Sequence, residues 1–146
     1  MKLLTSEYDY TTEAAQVELE HKGKIYKGSA HYKPSEKDFP NRFFGQRLAE
    51  KRAMIGYWKE QRDKNRIKKQ ALESFKTDML QAIFLDSEKV NLDENEEKNI
   101  LQRLENHIKY YDKTARDCVK AIQAQKDDIK KDIQLREQLM KKVNNK

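Results

Sequence analysis

The stretch from Val17 to Tyr32, VELEHKGKIYKGSAHY, decides the fold of the amino-terminal part of the chain. It begins with apolar Val17 and Leu19, each followed by an acidic residue, and this period of two is typical of a strand with one buried face. Lys22 and Gly23 then form a two-residue turn, because glycine readily adopts the positive φ that tight hairpin turns require. The stretch therefore predicts an antiparallel hairpin.

The turn determines which residues face each other in this hairpin. Leu19 faces Tyr26 and Val17 faces Gly28, so the apolar side chains collect on one face of the sheet. A preceding strand from about Leu3 to Tyr10 is expected to add a third member. Because three strands with one apolar face are not stable alone, a helix must cover that face.

Two long helices are predicted to follow the sheet. The segment Lys33–Pro40 is a turn, since each proline disfavours helical conformation in the residue before it. Asn41 has the side chain of an N-cap for a first helix over about residues 42–84. The sequence leaves open whether this helix continues through the polar stretch 59–66. Its apolar residues at helical spacing are Phe44, Leu48, Ile55, Trp58, Leu72, Phe75, Met79 and Ile83.

The second helix has its own start signal and a regular apolar repeat. Asp93 and Glu96 have the spacing of a capping box, which predicts a helix over about residues 94–143. Its apolar residues then step alternately by three and four, a heptad repeat typical of coiled coils. The two helices are expected to pack antiparallel. The residues of this seam are Leu101, Leu104, Ile108, Tyr111, Ala115, Cys118 and Ile122.

The heptad pattern changes toward the carboxyl terminus. It reaches Ile129 but is interrupted by Gln125 and Asp132. Ile133 and Met140 predict that the apolar stripe shifts there, as a stutter produces. The second helix is longer than the first, so part of its seam has no partner in the hairpin. We therefore expect a homodimer or a higher oligomer.

The predicted fold class is α+β and mostly α, in one structural unit. A β-meander with its Pro-containing turn occupies residues 1–40, and a coiled-coil-like hairpin of two long helices occupies residues 41–146. Of all residues 36% are hydrophobic and 38% charged, and no apolar run approaches the roughly 20 residues of a membrane-spanning helix. The single cysteine, Cys118, excludes an intrachain disulfide. The first residues lack a signal-peptide core, so the expected location is the cytoplasm.

Positive charge is concentrated in one part of the chain. The chain carries a formal net charge of +6, and the segment Arg42–Lys69 holds ten basic residues against Glu50, Glu60 and Asp63. Such an excess has two interpretations, an anionic partner or a solubilising helix face, and the sequence leaves both open.

No set of residues has the pattern of a catalytic or metal site. His21, His31 and His107 are scattered, and Cys118 occupies a core heptad position where a thiol tends to be inert. The sequence contains neither a nucleophile elbow nor a phosphate-binding glycine loop. We therefore predict a protein that is not an enzyme, with no cofactor and no metal ligand.

Two groups of residues have the chemistry of nucleotide recognition. At the start of the first helix, Arg42 and Arg47 lie near backbone N–H groups that can bind phosphate. Phe43, between them, can stack on a base. The second predicted group lies around the turn between the helices and combines an aromatic ring, an amide and a guanidinium: Phe84, Asn91 and Arg103.

The sequence between residues 16 and 58 resembles a known group of proteins. The resemblance rests on Gly28–Pro34 (GSAHYKP), the charged turn that ends at Asp38, Gly45, Leu48–Ala49 and Arg52–Ala53. The group consists of small proteins encoded by phages of Gram-positive bacteria, with a short β-meander, a Pro-containing acidic turn and two long helices.

Within this group the chain is similar in layout to the phage anti-Thoeris proteins, which act as sponges for cyclic ADP-ribose signals. The resemblance implies a non-enzymatic oligomer, located in the cytoplasm of the infected bacterial host. It further implies that the protein sequesters a signal made by a bacterial immune enzyme.

Three functions are therefore considered. The first is a phage anti-defence protein that binds a cyclic ADP-ribose-type signal without degrading it. The second is a basic macromolecular binder, either an inhibitor of a CRISPR nuclease or a nucleic-acid-binding phage accessory protein, which the segment Arg42–Lys69 favours. The third is a structural coiled coil whose charges only keep it in solution.

Overall fold

The computed structural model describes residues 1–33, 35, 39–85 and 93–144. It contains a three-stranded antiparallel sheet followed by two long helices, which confirms the predicted α+β, mostly helical fold. None of the helices in these ranges is long and apolar enough to cross a membrane. The elements are β1 (Lys2–Asp9), β2 (Ala14–His21), β3 (Lys24–His31), α1 (Asn41–Leu85) and α2 (Glu94–Asn144).

The hairpin has the register that the turn predicts. Val17 pairs with Gly28 and Leu19 pairs with Tyr26. Lys22 and Gly23 have φ values of 50° and 79°, because a two-residue turn with positive φ at both positions matches the right-handed twist of the strands. β1 joins the other edge of β2 as the expected third strand, with a bulge between Leu3 and Thr5.

The helix boundaries also agree with the sequence. α1 begins at Asn41 and continues without a break through residues 59–66, which settles the point that the sequence left open. α2 begins after Asp93, whose Oδ1 accepts a hydrogen bond from the Glu96 backbone N–H at 2.8 Å, as an N-cap does. Parts of the two predicted connections, residues 34, 36–38 and 86–92, lie outside the described residues.

Packing groups the chain into two compact units, Met1–Lys59 with Lys120–Lys146, and Glu60–Val119. In the first unit the apolar face of the sheet is covered by α1, and Ile129 of α2 packs against the same cluster. The buried residues of this core are Ala15, Val17, Leu19, Tyr26, Ala30, Leu48, Ala49 and Ala53.

β3 approaches α1 so closely that one position of the strand has room only for glycine. A Cβ atom on Gly28 would lie 1.8 Å from the backbone oxygen of Ala49 and 2.7 Å from the backbone nitrogen of Ala53. Small side chains on the helix make this approach possible, and Gly45 packs in a similar way against Ala15. Small residues thus set the distance between sheet and helix in the first unit.

In the second unit, α1 and α2 run antiparallel and are joined by ion pairs. The Nζ atoms of Lys69 and Lys76 lie 2.8 Å from Asp112 Oδ1 and 3.0 Å from Glu105 Oε1, respectively. The prediction that Phe75 lies in the apolar stripe is wrong, since its side chain is 56% exposed. Lys76 takes the inward position instead, because its aliphatic stem covers apolar surface while its ammonium reaches a carboxylate.

The stripe of α2 shifts at Met140, as the predicted stutter requires, but the prediction that Ile133 lies in this stripe is wrong. Ile133 is 41% exposed, whereas Arg136 is only 8% exposed. The inward positions after Ile129 are therefore Asp132, Arg136 and Met140, at steps of three, four and four, and the first two are polar. Polar side chains can occupy these positions because each has charged or hydrogen-bonding partners on the facing elements.

The close contact at Gly28 leads to a prediction about stability, for which a second glycine serves as the control. Gly28→Ala should lower the free energy of unfolding by about 1–3 kcal/mol or more, since the new methyl group meets backbone atoms that cannot move independently. Gly56→Ala, at a helical site with nothing within 4 Å of the added Cβ, should raise it by about 0.5–1 kcal/mol. Urea denaturation measures both. Equal effects of the two variants would contradict the proposed role of Gly28.

Candidate functional site

The start of α1 carries three of the residues predicted to bind ligand and brings two of them, Phe43 and Arg47, into contact. The Phe43 side chain is 54% exposed, and the Arg47 guanidinium carbon lies 5.4 Å from the centroid of its ring. One helical turn separates these two residues, so their side chains meet on the same face. Arg42, the third, donates a hydrogen bond from Nη1 to the Tyr10 hydroxyl at 3.1 Å. The structure thus pairs Arg47 with the Phe43 ring, whereas Arg42 lies beside Tyr10.

A carboxylate of α2 holds Arg47 in place. Asp132 accepts hydrogen bonds from Arg47 Nε at 3.1 Å and Nη2 at 3.2 Å, and from Lys51 Nζ at 2.8 Å. Burial alone raises the pKa of Asp132, but the hydrogen bonds from Arg47 and Lys51 outweigh it and leave this pKa below its usual value. The two-pronged contact fixes the plane of the guanidinium and thereby orients it over Phe43.

A buried polar cluster lies at the adjoining end of the sheet. The Glu13 carboxylate accepts hydrogen bonds from the Tyr8 hydroxyl and from Asn41 Nδ2, the latter at 3.3 Å. Asn41 Oδ1 accepts a hydrogen bond from Arg136 Nη2 at 2.7 Å, and the Arg136 guanidinium carbon lies 3.9 Å from the Tyr32 ring centroid. Burial and the contact with Glu13 raise the pKa of Tyr8 well above its usual value.

Sequence reasoning missed this cluster and the role of Asp132. Glu13 lies in a turn with a φ of 53°, and its contact with Asn41 spans 28 positions of the chain. The available signal was an acid and a base, Asp132 and Arg136, at positions where the heptad repeat calls for apolar residues. Such residues are retained in a seam when they are paired.

The second predicted group belongs to the second unit, and its described members lie further apart along the helices than Phe43 and Arg47 do. Phe84 is 92% exposed near the end of α1, and Arg103 is exposed on α2. The register that Lys76 and Glu105 set places Phe84 and Arg103 about 9 Å apart along the helix axes, at ~1.5 Å per residue. Asn91 lies outside the described residues. A nucleotide pocket at this turn therefore stays a prediction.

Much of the positive charge in the segment Arg42–Lys69 is engaged within the molecule. Five of its ten cations pair with carboxylates, and hydrogen bonding to Asp112 raises the pKa of Lys69. Such pairs offset the charge that the segment can present to an anionic partner. The five are Arg47, Lys51, Arg62, Lys64 and Lys69.

The chemistry offered by the candidate site is that of recognition. Its groups are ring faces, guanidiniums and an ammonium, which suit a planar, anionic ligand. In the ranges that the structure describes, no three His, Cys, Asp or Glu residues are grouped so as to hold a metal ion.

Comparison of the chain with protein-family models, with curated proteins and with solved structures finds no match. Several residues that carry the resemblance to the phage group have a structural role in this fold. Gly28, Gly45, Ala49 and Ala53 are the positions at which the sheet meets α1. These residues specify a packing contact, so the case for a ligand depends on the surface around Phe43.

The contacts of Arg136 in the buried cluster predict that replacing it lowers the stability of the protein. Arg136→Lys keeps the charge, but an ammonium cannot both lie flat on the Tyr32 ring and donate in a fixed direction to Asn41. We expect the free energy of unfolding to fall by about 1.5–3 kcal/mol. Lys141→Arg, at an exposed site on the same helix, serves as the control and should have almost no effect. A lysine variant as stable as the wild type would mean that only the charge is required.

Asp132 makes the stability of the first unit dependent on pH. Its pKa in the folded protein lies below the ordinary value of 3.8, so its contribution is present above that value and is lost as the pH falls through the folded pKa. Asp132→Asn should lower the free energy of unfolding at neutral pH by about 1.5–3 kcal/mol. Urea denaturation at neutral pH and at about pH 3 should show this difference shrinking in acid. Glu137→Gln, exposed on the same helix, should show no such change.

Proposed function

We propose that this protein is a phage anti-defence protein that binds a cyclic ADP-ribose-type immune signal and withholds it without degrading it. The resemblance over residues 16–58 supports the class of protein. The observation that carries the proposal is the exposed Phe43 ring with the Arg47 guanidinium 5.4 Å from its centroid. An adenine base and a pyrophosphate require this pairing of a ring face with fixed positive charge.

The proposed mode of binding uses the groups at the start of α1. The base stacks on Phe43, and Arg42 and Arg47 donate hydrogen bonds to the pyrophosphate. Asp132 holds Arg47 before the ligand arrives, so little side-chain freedom is lost on binding. Lys51, which contacts the same carboxylate, adds positive charge beside the phosphates.

Retention of the ligand without cleavage is part of the proposal. His21 and His31 lie on the sheet and His107 lies in the second unit. Cys118 is buried, and that burial raises the pKa of its thiol. The proposal gives none of these side chains a role in chemistry on the ligand.

The alternative is a basic macromolecular binder, an inhibitor of a CRISPR nuclease or a nucleic-acid-binding protein. The observation in its favour is that Arg42, Arg52, Lys59, Arg66 and Lys68 are exposed along α1. Phosphate contacts by these residues would make the affinity fall steeply with salt. Nucleic-acid binding that is absent at low salt, or unchanged between low and moderate salt, would count against direct binding.

The signal-binding proposal predicts specific losses at the start of α1. Phe43→Ala and Arg47→Ala should each weaken binding of cyclic ADP-ribose isomers by roughly 10- to 150-fold, since a base stack or a charged hydrogen bond contributes about 1.5–3 kcal/mol. Arg66→Ala, an exposed arginine elsewhere on the same helix, removes the same charge and should bind like the wild type. Isothermal titration and thermal shift measure the affinities.

Two results would overturn the proposal. The first is a wild-type protein that shows neither a thermal shift nor co-elution with any cyclic ADP-ribose isomer. The second is binding that Phe43→Ala and Arg47→Ala leave unchanged. Heating the complex and identifying the released compound separates a sponge from a hydrolase, because a sponge returns the signal intact.

A further inference from the structure

The carboxyl end of α1 carries an apolar patch that faces solvent. Leu80, Phe84 and Leu85 are exposed there. Together with neighbouring residues of the same helix they line a shallow groove of about 570 Å³. Among the residues that the structure describes, the lining is Thr77, Leu80, Gln81, Ile83, Phe84 and Leu85. We call this surface the tip patch.

The surroundings of the tip patch are acidic in a chain that is basic as a whole. Residues 73–85 and 93–105 hold seven acidic residues against Lys76, Lys98 and Arg103. The register set by Lys76 and Glu105 places Glu97 level with Phe84. On α1, Asp78 lies two turns before Leu85 on the same side of the helix. The chemistry that complements this surface is therefore apolar and basic.

The last turns of α2 offer such a surface. Leu135, Leu139 and Val143 are exposed and recur every four residues, so they form one stripe along the helix. Lys131 and Lys142, both exposed, lie along the same stripe. We call this surface the tail stripe. Its side chains do not serve the core, since the inward positions of this segment are Asp132, Arg136 and Met140.

We infer that the tip patch of one molecule docks the tail stripe of a second copy of this chain. An amphipathic helix that lays an apolar stripe into a groove is a common mode of recognition, and the acidic rim and the lysines add charge complementarity. The two surfaces differ, so the contact is head-to-tail and leads to rings or open chains. This role of Phe84 is distinct from nucleotide stacking and does not depend on the proposed ligand.

The association is expected to be weak. Three apolar side chains on each surface form a smaller patch than a standard interface of ~1,600 Å². Oligomers should therefore form at high micromolar concentration and dissociate on dilution. High salt should shift the equilibrium toward monomer, because exposed charges contribute to the contact.

Sedimentation velocity over a concentration series tests the contact with matched variants. Phe84→Ser and Leu139→Ser should each abolish self-association. Phe75→Ser and Ile133→Ser alter equally apolar exposed residues that lie on other sides of the same helices, and they should associate like the wild type. Asp78→Lys should weaken association, and adding Lys142→Glu to the same chain should restore it.

Mixing the two defective variants gives the decisive measurement. Phe84→Ser retains an intact tail stripe and Leu139→Ser retains an intact tip patch, so the mixture should form a dimer with one copy of each. A symmetric contact between identical surfaces would not produce this dimer. The inference is overturned if the wild type stays monomeric throughout, if the mixture stays monomeric while the wild type associates, or if the tip patch binds only an added basic amphipathic peptide.

Discussion

One connection in the first unit joins the sheet and both helices, and the candidate site depends on it. Glu13 of the β1–β2 turn bonds Asn41 at the first position of α1, and Asn41 bonds Arg136 of α2. All three residues are buried. If one of them were removed, its partner would keep a buried polar group to which water could not supply the lost hydrogen bond. The cluster therefore holds the start of α1 at a defined place relative to the sheet and to α2.

The candidate site lies next to this connection and shares its chemistry. Asp132 lies one helical turn before Arg136 on α2. Asp132 accepts a hydrogen bond from Arg47, and Arg136 donates one to Asn41, so both residues of α2 bond a residue near the start of α1. Both residues occupy seam positions that apolar side chains could fill. Polar residues at such positions stabilise one register of the helices, because a shifted register would bury them without partners. In this protein the same register also places Asp132 against Arg47.

Charge is distributed in a way that gives the two units different surfaces. Two cations near the start of α1, Arg47 and Lys51, are partly neutralised by the Asp132 carboxylate of the same unit. The end of α1 and the beginning of α2 are acidic and apolar. The tip patch of the second unit therefore differs in charge and polarity from the cationic candidate site of the first unit.

The sequence by itself determined the features that local chemistry controls. The Lys22–Gly23 turn, the hairpin register, the start of α2 at Asp93 and the seam through Ile122 all depend on neighbouring residues, and the structure has each of them. The meeting of Phe43 with Arg47 belongs here too, since it follows from helical spacing.

Only the tertiary structure decided which polar residues take inward positions and what they contact. Periodicity placed Phe75 and Ile133 in the apolar stripes, and both placements were wrong, since the side chains of Phe75 and Ile133 are exposed. Lys76 and Arg136 take inward positions instead. A charged side chain is stable in a seam only if a partner lies level with it, and that partner is fixed by the register of distant segments. For the same reason the sequence did not reveal that Asp132 orients Arg47, or that Gly28 is required where β3 meets the backbone of α1.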